Sequence, residues 1–554
     1  MSEVPFHGIT SSQVQSGAPP RPAGESPGGS ELTGGGEAYE AGVSRWRTLA
    51  SILAATVLGP IDASVVNIAL PTLAATFRAD MATIGWVSMA YLLMISSLLL
   101  LFGRLGDMIG YKRVLLTGIG VFTSASLFCG AAGNVYMLIG FRALQAVGAG
   151  MFMAVAPAII TATFPATERG RALGLNAMTV AAGLAFGPSL GGFLVNHVGW
   201  RSIFYINLPV GIASIILCNA FVPSPGPAPE PLARRPHKRP YEPVPAQRGQ
   251  TGYDRVQRFD VPGAALAFTG LISLLLFVSR GQTWGWTSTA SAITGITACV
   301  SAVAFIWVES HVAEPMLDLT LFRSRTFFFA NLASLMNYMA QYIVVFLTPF
   351  FLQEQLLMSP GRAGLLMSAS PLVVLWVAPL SGALSDRFGT SWPAFVGASV
   401  SAISLALLSV VGATGIRITT AGMTAGGVSL APAVHVHPHD IAWRLALFGL
   451  GTGIFQSPNN SAVMGAAPRQ RLGIASGILA MTRNVGMVLG VATASAVFSN
   501  RQEIYLEKLR RLGYSLNEAK ASAFVAGLRD AYAVGAILLI LAAVASVIRG
   551  RVRS

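Results

Sequence analysis

Gly103-Arg-Leu-Gly-Asp-Met-Ile-Gly110 closes the second of a long series of apolar stretches, and Gly382-Ala-Leu-Ser-Asp-Arg-Phe-Gly389 closes the tenth. Both read Gly-x-Leu-x-Asp-x-x-Gly, and both stand where one helix must stop and the next begin. A second echo pairs Pro165…Arg169-Gly-Arg-Ala-Leu-Gly174 with Pro468-Arg-Gln-Arg-Leu-Gly473, again between neighbouring stretches. A single coincidence means little. Two in register imply two halves in the same orientation, parallel repeats related by an axis along the membrane normal. Such a pair suits a molecule that rocks two bundles about a central site.

The composition supplies the solvent. Of 554 residues, 53% are hydrophobic and only 11% charged, where a soluble domain carries roughly 25%. Lipid must therefore surround most of the chain. Fourteen stretches approach the roughly 20 residues that cross about 30 Å of hydrocarbon: 49–70, 84–102, 114–132, 137–162, 172–195, 203–222, 261–279, 287–308, 327–351, 363–384, 392–413, 441–464, 474–498 and 531–548. The expected fold class is an all-α integral membrane protein.

The net charge of +14 does not point to nucleic acid, because Lys and Arg fall between apolar runs and not on one face of a folded domain. Their distribution chooses an orientation. With both termini cytoplasmic, the inner segments hold Arg45 and Arg47, Arg104, Lys112 and Arg113, Arg169 and Arg171, the 234–258 cluster, and Arg549, Arg551 and Arg553. The segment 501–529 is an exception, outside on this count yet basic.

Residues 1–44 lack the apolar core of a signal peptide and read as a disordered cytoplasmic tail. A six-helix bundle over 45–222 follows, then a Pro- and Arg-rich cytoplasmic linker over 223–258. Two extra helices within 259–308, a second six-helix bundle over 309–548 and a cytoplasmic tail 549–554 complete the expected order. Cys129, Cys218 and Cys299 each lie in an apolar run and read as small core residues. His435, His437 and His439 alternate in an expected external loop with no acid or thiol to complete a metal site, so no metal is expected. No phosphate-cradling loop, His-Glu-x-x-His or nucleophile elbow is present, which argues against an ATP-driven pump or a hydrolytic enzyme. No cofactor is expected.

Single polar residues inside apolar spans carry the chemistry. Asp62 is the only acid well inside the six N-terminal spans. A carboxylate there must be neutralised, paired or set on an aqueous cavity, which suits it to load and release a proton. Asn67 can hydrogen-bond between helices. Arg142 and Gln145, three residues apart, share a helix face. Gly183, Gly187, Gly191 and Gly192 give a flat face for close packing, and Pro188 should kink that helix. In the corner sequence, glycines let helices approach, Asp107 can cap or pair, and Lys112 and Arg113 hold the next helix end inside. Neither 327–351 nor 363–384 contains an acid, so a dicationic substrate is not expected.

These motifs resemble the major facilitator superfamily, in its fourteen-span drug:proton antiporter branch, over about residues 45 to 548. The carriers are Gly103–Arg113, Ile61-Asp-Ala-Ser-Val-Val-Asn-Ile-Ala-Leu-Pro71, Arg142-Ala-Leu-Gln-Ala-Val-Gly148, Gly183-Leu-Ala-Phe-Gly-Pro-Ser-Leu-Gly-Gly192 and the run 199–211. The resemblance implies two six-helix bundles plus two additional central helices. It implies a cytoplasmic gate at Gly103, Asp107, Gly110, Lys112 and Arg113, with Gly382, Asp386, Arg387 and Gly389 as its counterpart. It further implies a proton relay through Asp62 and Arg142, and an antiporter motif at Gly183–Gly192. Met108, Tyr111 and Ala146 depart from the usual pattern. The implied partners are a small amphiphilic substrate, protons and the lipid bilayer, with a monomer as the expected state. A symporter or uniporter of a native metabolite, and a membrane-embedded lipid-modifying enzyme, are the alternatives.

Overall fold

The computed structural model describes residues 34–165, 168–223, 261–312, 319–415, 437–468 and 471–549. The expected tail up to residue 33, nearly all of the linker and His435 lie outside the described residues. Two compact units divide the chain, 1–46 and 47–554, and of the first only the helical turns 34–46 are described.

The described chain is helical throughout, without a strand among the described residues. The first half comprises α1 (Gly34–Thr56), α2 (Leu58–Phe77), α3 (Met81–Ile109), α4 (Tyr111–Ala131), α5 (Val135–Thr163), α6 (Arg169–His197), α7 (Ser202–Tyr205) and α8 (Asn207–Phe221). Then come α9 (Val261–Trp284) and α10 (Thr289–His311). They pack on each other, and α9 rests against α3 and α16. The second half holds α11 (Arg325–Phe350), α12 (Pro360–Met367), α13 (Ala369–Phe388), α14 (Ser391–Gly415), α15 (Pro438–Gly465), α16 (Leu472–Arg511) and α17 (Leu516–Ile548). Among the described residues, 12 segments are long and apolar enough to cross a membrane. The other two expected spans fall short for visible reasons. The apolar run of α9 is short, and α15 carries Arg444, Gln456, Asn459 and Asn460 on a helix largely enclosed by protein.

The repeat announced by the corner sequences continues into the packing. A methyl added to Gly148 of α5 would lie 2.4 Å from the Phe122 nitrogen and 2.6 Å from the Gly118 oxygen of α4. One added to Gly451 of α15 would lie 2.5 Å from the Ser401 nitrogen and 2.6 Å from the Gly397 oxygen of α14. Gly397 stands as far beyond Gly382 as Gly118 beyond Gly103, and Gly451 as far before Pro468 as Gly148 before Pro165. Backbone touches backbone at the same place in each half, as small-residue packing allows where lipid offers no hydrophobic drive. The turns match too: Gly110 and Gly389 take φ of +96° and +78°, a region that L side chains avoid.

The halves meet at the end opposite these corners. Gln353 donates to the Ile68 carbonyl at 2.8 Å, and the Ser189 and Ser368 hydroxyls lie 2.7 Å apart. Toward the corner end, Ala172 is the one buried residue of α6 between 169 and 182, and Gly170 and Gly174 have no atom within 4 Å of an added methyl.

Two expectations need correcting. Helix α16 does not stop near 498 but runs 40 residues to Arg511, which carries it about 20 Å past the apolar run at 1.5 Å per residue. Paired charges (Arg511 with Glu507, Arg501 with Asp530 at 3.4 Å) and a Ser515–Glu518 capping box stabilise this hairpin in water, where hydropathy gives no signal. Cys299 is exposed, unlike Cys129 and Cys218, because it lies on the outward face of α10.

Candidate functional site

A buried polar cluster of the first half forms around Asp62 on α2. Its Oδ2 accepts a short hydrogen bond from Arg142 Nη1 of α5, and the two form an ion pair. Oδ1 accepts from Gln145 Nε2 at 2.9 Å and from Asn207 Nδ2 of α8 at 2.8 Å. Gln145 Nε2 also donates to Ser126 Oγ of α4 at 2.8 Å. Arg142 Nη1 reaches Gln145 Oε1 at 2.6 Å, and its Nε reaches the Val87 carbonyl of α3 at 3.2 Å. The guanidinium lies 4.1 Å from the centroid of the Tyr91 ring.

Asp62 is 0% and Arg142 1% exposed. A buried charge must be paired and its remaining hydrogen-bonding capacity filled, and this network does both. The spacing Arg-x-x-Gln puts two donors on one face of α5, and that face meets α2. Five helices (α2, α3, α4, α5 and α8) are thereby joined through one carboxylate.

Helix α6 joins differently. Methyls on Gly183, Gly187 and Gly191 would meet Pro60 and Ile61, then Ser64, then Val65 and Ile68, in successive turns of α2. Pro188 has no N–H for the Leu184 carbonyl four residues earlier, and Ser64 Oγ donates to that carbonyl at 3.2 Å. The helix stays continuous across Pro188. The adjoining face touches the second half: a methyl on Gly192 would lie 2.3 Å from the Pro360 oxygen, and one on Gly364 2.2 Å from the Pro188 oxygen.

A profile of the Major Facilitator Superfamily matches residues 52–313. The riboflavin transporter RibZ of Clostridioides difficile (strain 630) is 32% identical over 460 residues, covering 82% of this chain and 88% of its own. This chain belongs to the Major Facilitator Superfamily. It is also similar to multidrug resistance protein Stp of Mycobacterium tuberculosis (strain H37Rv), 30% identical over 458 residues, 82% of this chain and 76% of that protein. A solved bacterial homologue of the human lysosomal transporter Spinster, inward-facing and occupied, superposes with a TM-score of 0.62 at 16% identity, over 90% of this chain and 96% of its own. That likeness speaks for the fold alone. The chain is a multi-pass membrane transporter and not an enzyme.

Other candidate residues of this facilitator fall elsewhere. Asn67, further along α2, accepts from Ser88 Oγ at 2.9 Å and stands apart from the Asp62 network. Lys112 donates to the Asn219 carbonyl at 2.8 Å, near the end of α8 in its own half, while Arg113 and Arg387 are exposed. The side chains of Arg104, Asp107 and Asp386 lie outside the described residues. Gly103 is not a close-approach point, because a methyl there meets nothing within 4 Å. Gly106 is one instead, 2.7 Å from the Tyr111 ring. At Gly382 the Ser457 hydroxyl would lie 2.7 Å away.

Asn207, Ser126 and Tyr91 were not singled out from sequence; polar residues in apolar spans are the signal that could have found them. Arg549, assigned to the tail, is 3% exposed. Its guanidinium donates to Asn459 Oδ1 at 2.7 Å and to the Thr390 carbonyl, tying α14, α15 and α17 together without any acid. His437 and His439 are exposed at the start of α15.

Proposed function

We propose that this facilitator exports small amphiphilic organic compounds across the cell membrane in exchange for protons, with both termini cytoplasmic and Asp62 as the main proton site. The observation that carries this reading is the closed Asp62–Arg142 network. Protonating Asp62 removes the charge that compensates Arg142, in a place where an unpaired guanidinium is expensive. Arg142, Gln145 and Asn207 must then find new acceptors, and those three residues stand on α5 and α8. One proton thereby loosens several helices of the half at once. The α6 stripe, packed on α2 along one face and on α12 along the next, passes that movement to the second half. The corner residues Asp107 and Asp386, with Lys112, Arg113 and Arg387, serve as the cytoplasmic latch on this reading. The kinship to a multidrug resistance protein and to a riboflavin transporter supports small organic molecules as the substrate class. We take one copy of the chain as the working unit.

Everted vesicles carrying an imposed pH gradient provide the test. Adding a transported dye should release protons through the wild-type protein, and Asp62→Asn should abolish that release while membrane insertion is retained. Normal gradient-driven efflux by the variant would overturn the assignment.

A further inference from the structure

A second intramembrane arginine is left with no acid to meet it. Arg483 lies on α16, eleven residues from the helix start, about 17 Å in at 1.5 Å per residue and so near the middle of a ~30 Å hydrocarbon layer. It is half-buried. Its guanidinium stands near the Tyr338 hydroxyl of α11 and faces Tyr342 one turn further along. The facing is fixed by close packing. A methyl on Gly486 would lie 2.8 Å from the Leu335 oxygen and 3.0 Å from Tyr338 Cβ, and one on Gly490 2.5 Å from the Met339 oxygen and 3.0 Å from Tyr342 Cβ.

No Asp or Glu occurs from 325 to 353 or from 472 to 502. Helices α12 and α14 contain none, Asp386, Asp440 and Glu518 stand toward the ends of α13, α15 and α17, and Asp530 of α17 is paired with Arg501 and Arg529. Asp62 is already held by Arg142. Among the described residues, the Arg483 charge therefore has no counter-charge. Its enclosed Nε has no hydrogen-bond partner either. On α11, next to Tyr338, the enclosed side-chain nitrogen and oxygen of Asn337 and the Gln341 oxygen also lack partners. Buried polar groups normally find partners, and a lone cation at this depth ordinarily finds an acid or a water-filled path. Here a charge, a phenol and two amides stand on neighbouring helices with bonding capacity left over.

We infer that Arg483, with Tyr338 facing it and the unpartnered Asn337 and Gln341 on that same helix, forms an anion subsite, and that the favoured substrates are amphiphilic organic anions. Arg483 takes the carboxylate or phenolate, and apolar and aromatic side chains take the body of the molecule. The inference rests on the transport reading above and narrows its substrate class. A cationic amphiphile would meet like charge at this point.

Binding decides it, measured without any pH gradient. Detergent-purified full-length protein is titrated against two dyes of one scaffold, anionic fluorescein and cationic rhodamine 6G, by fluorescence anisotropy. Fluorescein should bind more tightly. Arg483→Gln should weaken fluorescein roughly tenfold or more, the loss expected for a charge-assisted bond, and leave rhodamine 6G unchanged or improved. Arg483→Lys, which keeps the charge, should retain the preference for fluorescein, provided both variants elute as single species. Rhodamine 6G binding as tightly as fluorescein, or fluorescein indifferent to Arg483→Gln, would overturn the subsite. The titration uses neither a pH gradient nor an Asp62 variant, so a failure of the proton-coupling reading shows in vesicles and not in this measurement.

Discussion

Arg142 and Arg483 are both arginines well inside membrane-crossing helices, and the protein treats them oppositely. Arg142 is 1% exposed, ion-paired, and enclosed by Gln145, the Val87 carbonyl and the Tyr91 ring. Arg483 is half-buried and stands beside the Tyr338 phenol. The difference follows from where acids are placed. The first half carries a carboxylate opposite its arginine and becomes a sealed ionic joint. The second half has none near its arginine and solves its other buried guanidinium, Arg549, with amide and carbonyl oxygens. On the function proposed above, the compensated charge is a switch that a proton opens. An uncompensated charge is a demand for a ligand.

The strongest way to break this comparison is to remove each arginine in turn. Arg142→Gln leaves the Asp62 carboxylate buried without its cation, and such a half-broken pair typically loses about 3–5 kcal/mol. Purified protein should unfold at a markedly lower temperature than wild type, and efflux should fail. Adding Asp62→Asn to that variant should recover much of the stability, since no buried charge remains. Arg483→Gln should change the unfolding temperature little. Equal losses for Arg142→Gln and Arg483→Gln would erase the distinction between joint and ligand site.

A smaller effect tests the contact of α6 with α2. A methyl on Gly191 already lies 2.7 Å from Ile68 Cγ2 and 2.9 Å from Val65 Cα. Gly191→Leu must therefore push α6 from α2, at about 1–3 kcal/mol for overpacking of this kind. That shift is enough to move a balanced conformational equilibrium by roughly 5- to 150-fold. The variant should bind dye and transport poorly. Wild-type binding together with wild-type efflux would mean the stripe is ordinary packing.

The smallest expected effect separates two glycines of one corner. Gly106→Ala places a methyl 2.7 Å from the Tyr111 ring and 2.9 Å from Val155 Cγ1, so efflux and stability should both fall. Gly103→Ala meets open space and should leave stability unchanged or raised by up to about 1 kcal/mol, as Gly-to-Ala changes in helices do. Thermal unfolding of the pair settles which glycine the turn needs.

The sequence by itself determined the architecture. A charge-poor chain whose apolar runs match the membrane thickness has to form transmembrane helices, because backbone groups in lipid must bond within their own segment. The duplicated corner sequences announced the two halves, since a tight turn needing positive φ leaves its glycine in the text, as at Gly110 and Gly389. The sequence also named Asp62, Arg142 and Gln145, because ionisable and amide groups stand out against apolar neighbours. Only the tertiary structure decided how they meet. That Asn207, 145 residues beyond Asp62, completes its carboxylate, that Asn67 turns instead to Ser88, and that Arg549 is built into the bundle depends on which helix faces which. It also decided that α16 continues as a helix beyond the apolar run, because charge pairs in water stabilise a helix that hydropathy does not register. Periodicity reports the solvent each residue meets. It does not report the partner, which several spans of chain must come together to supply.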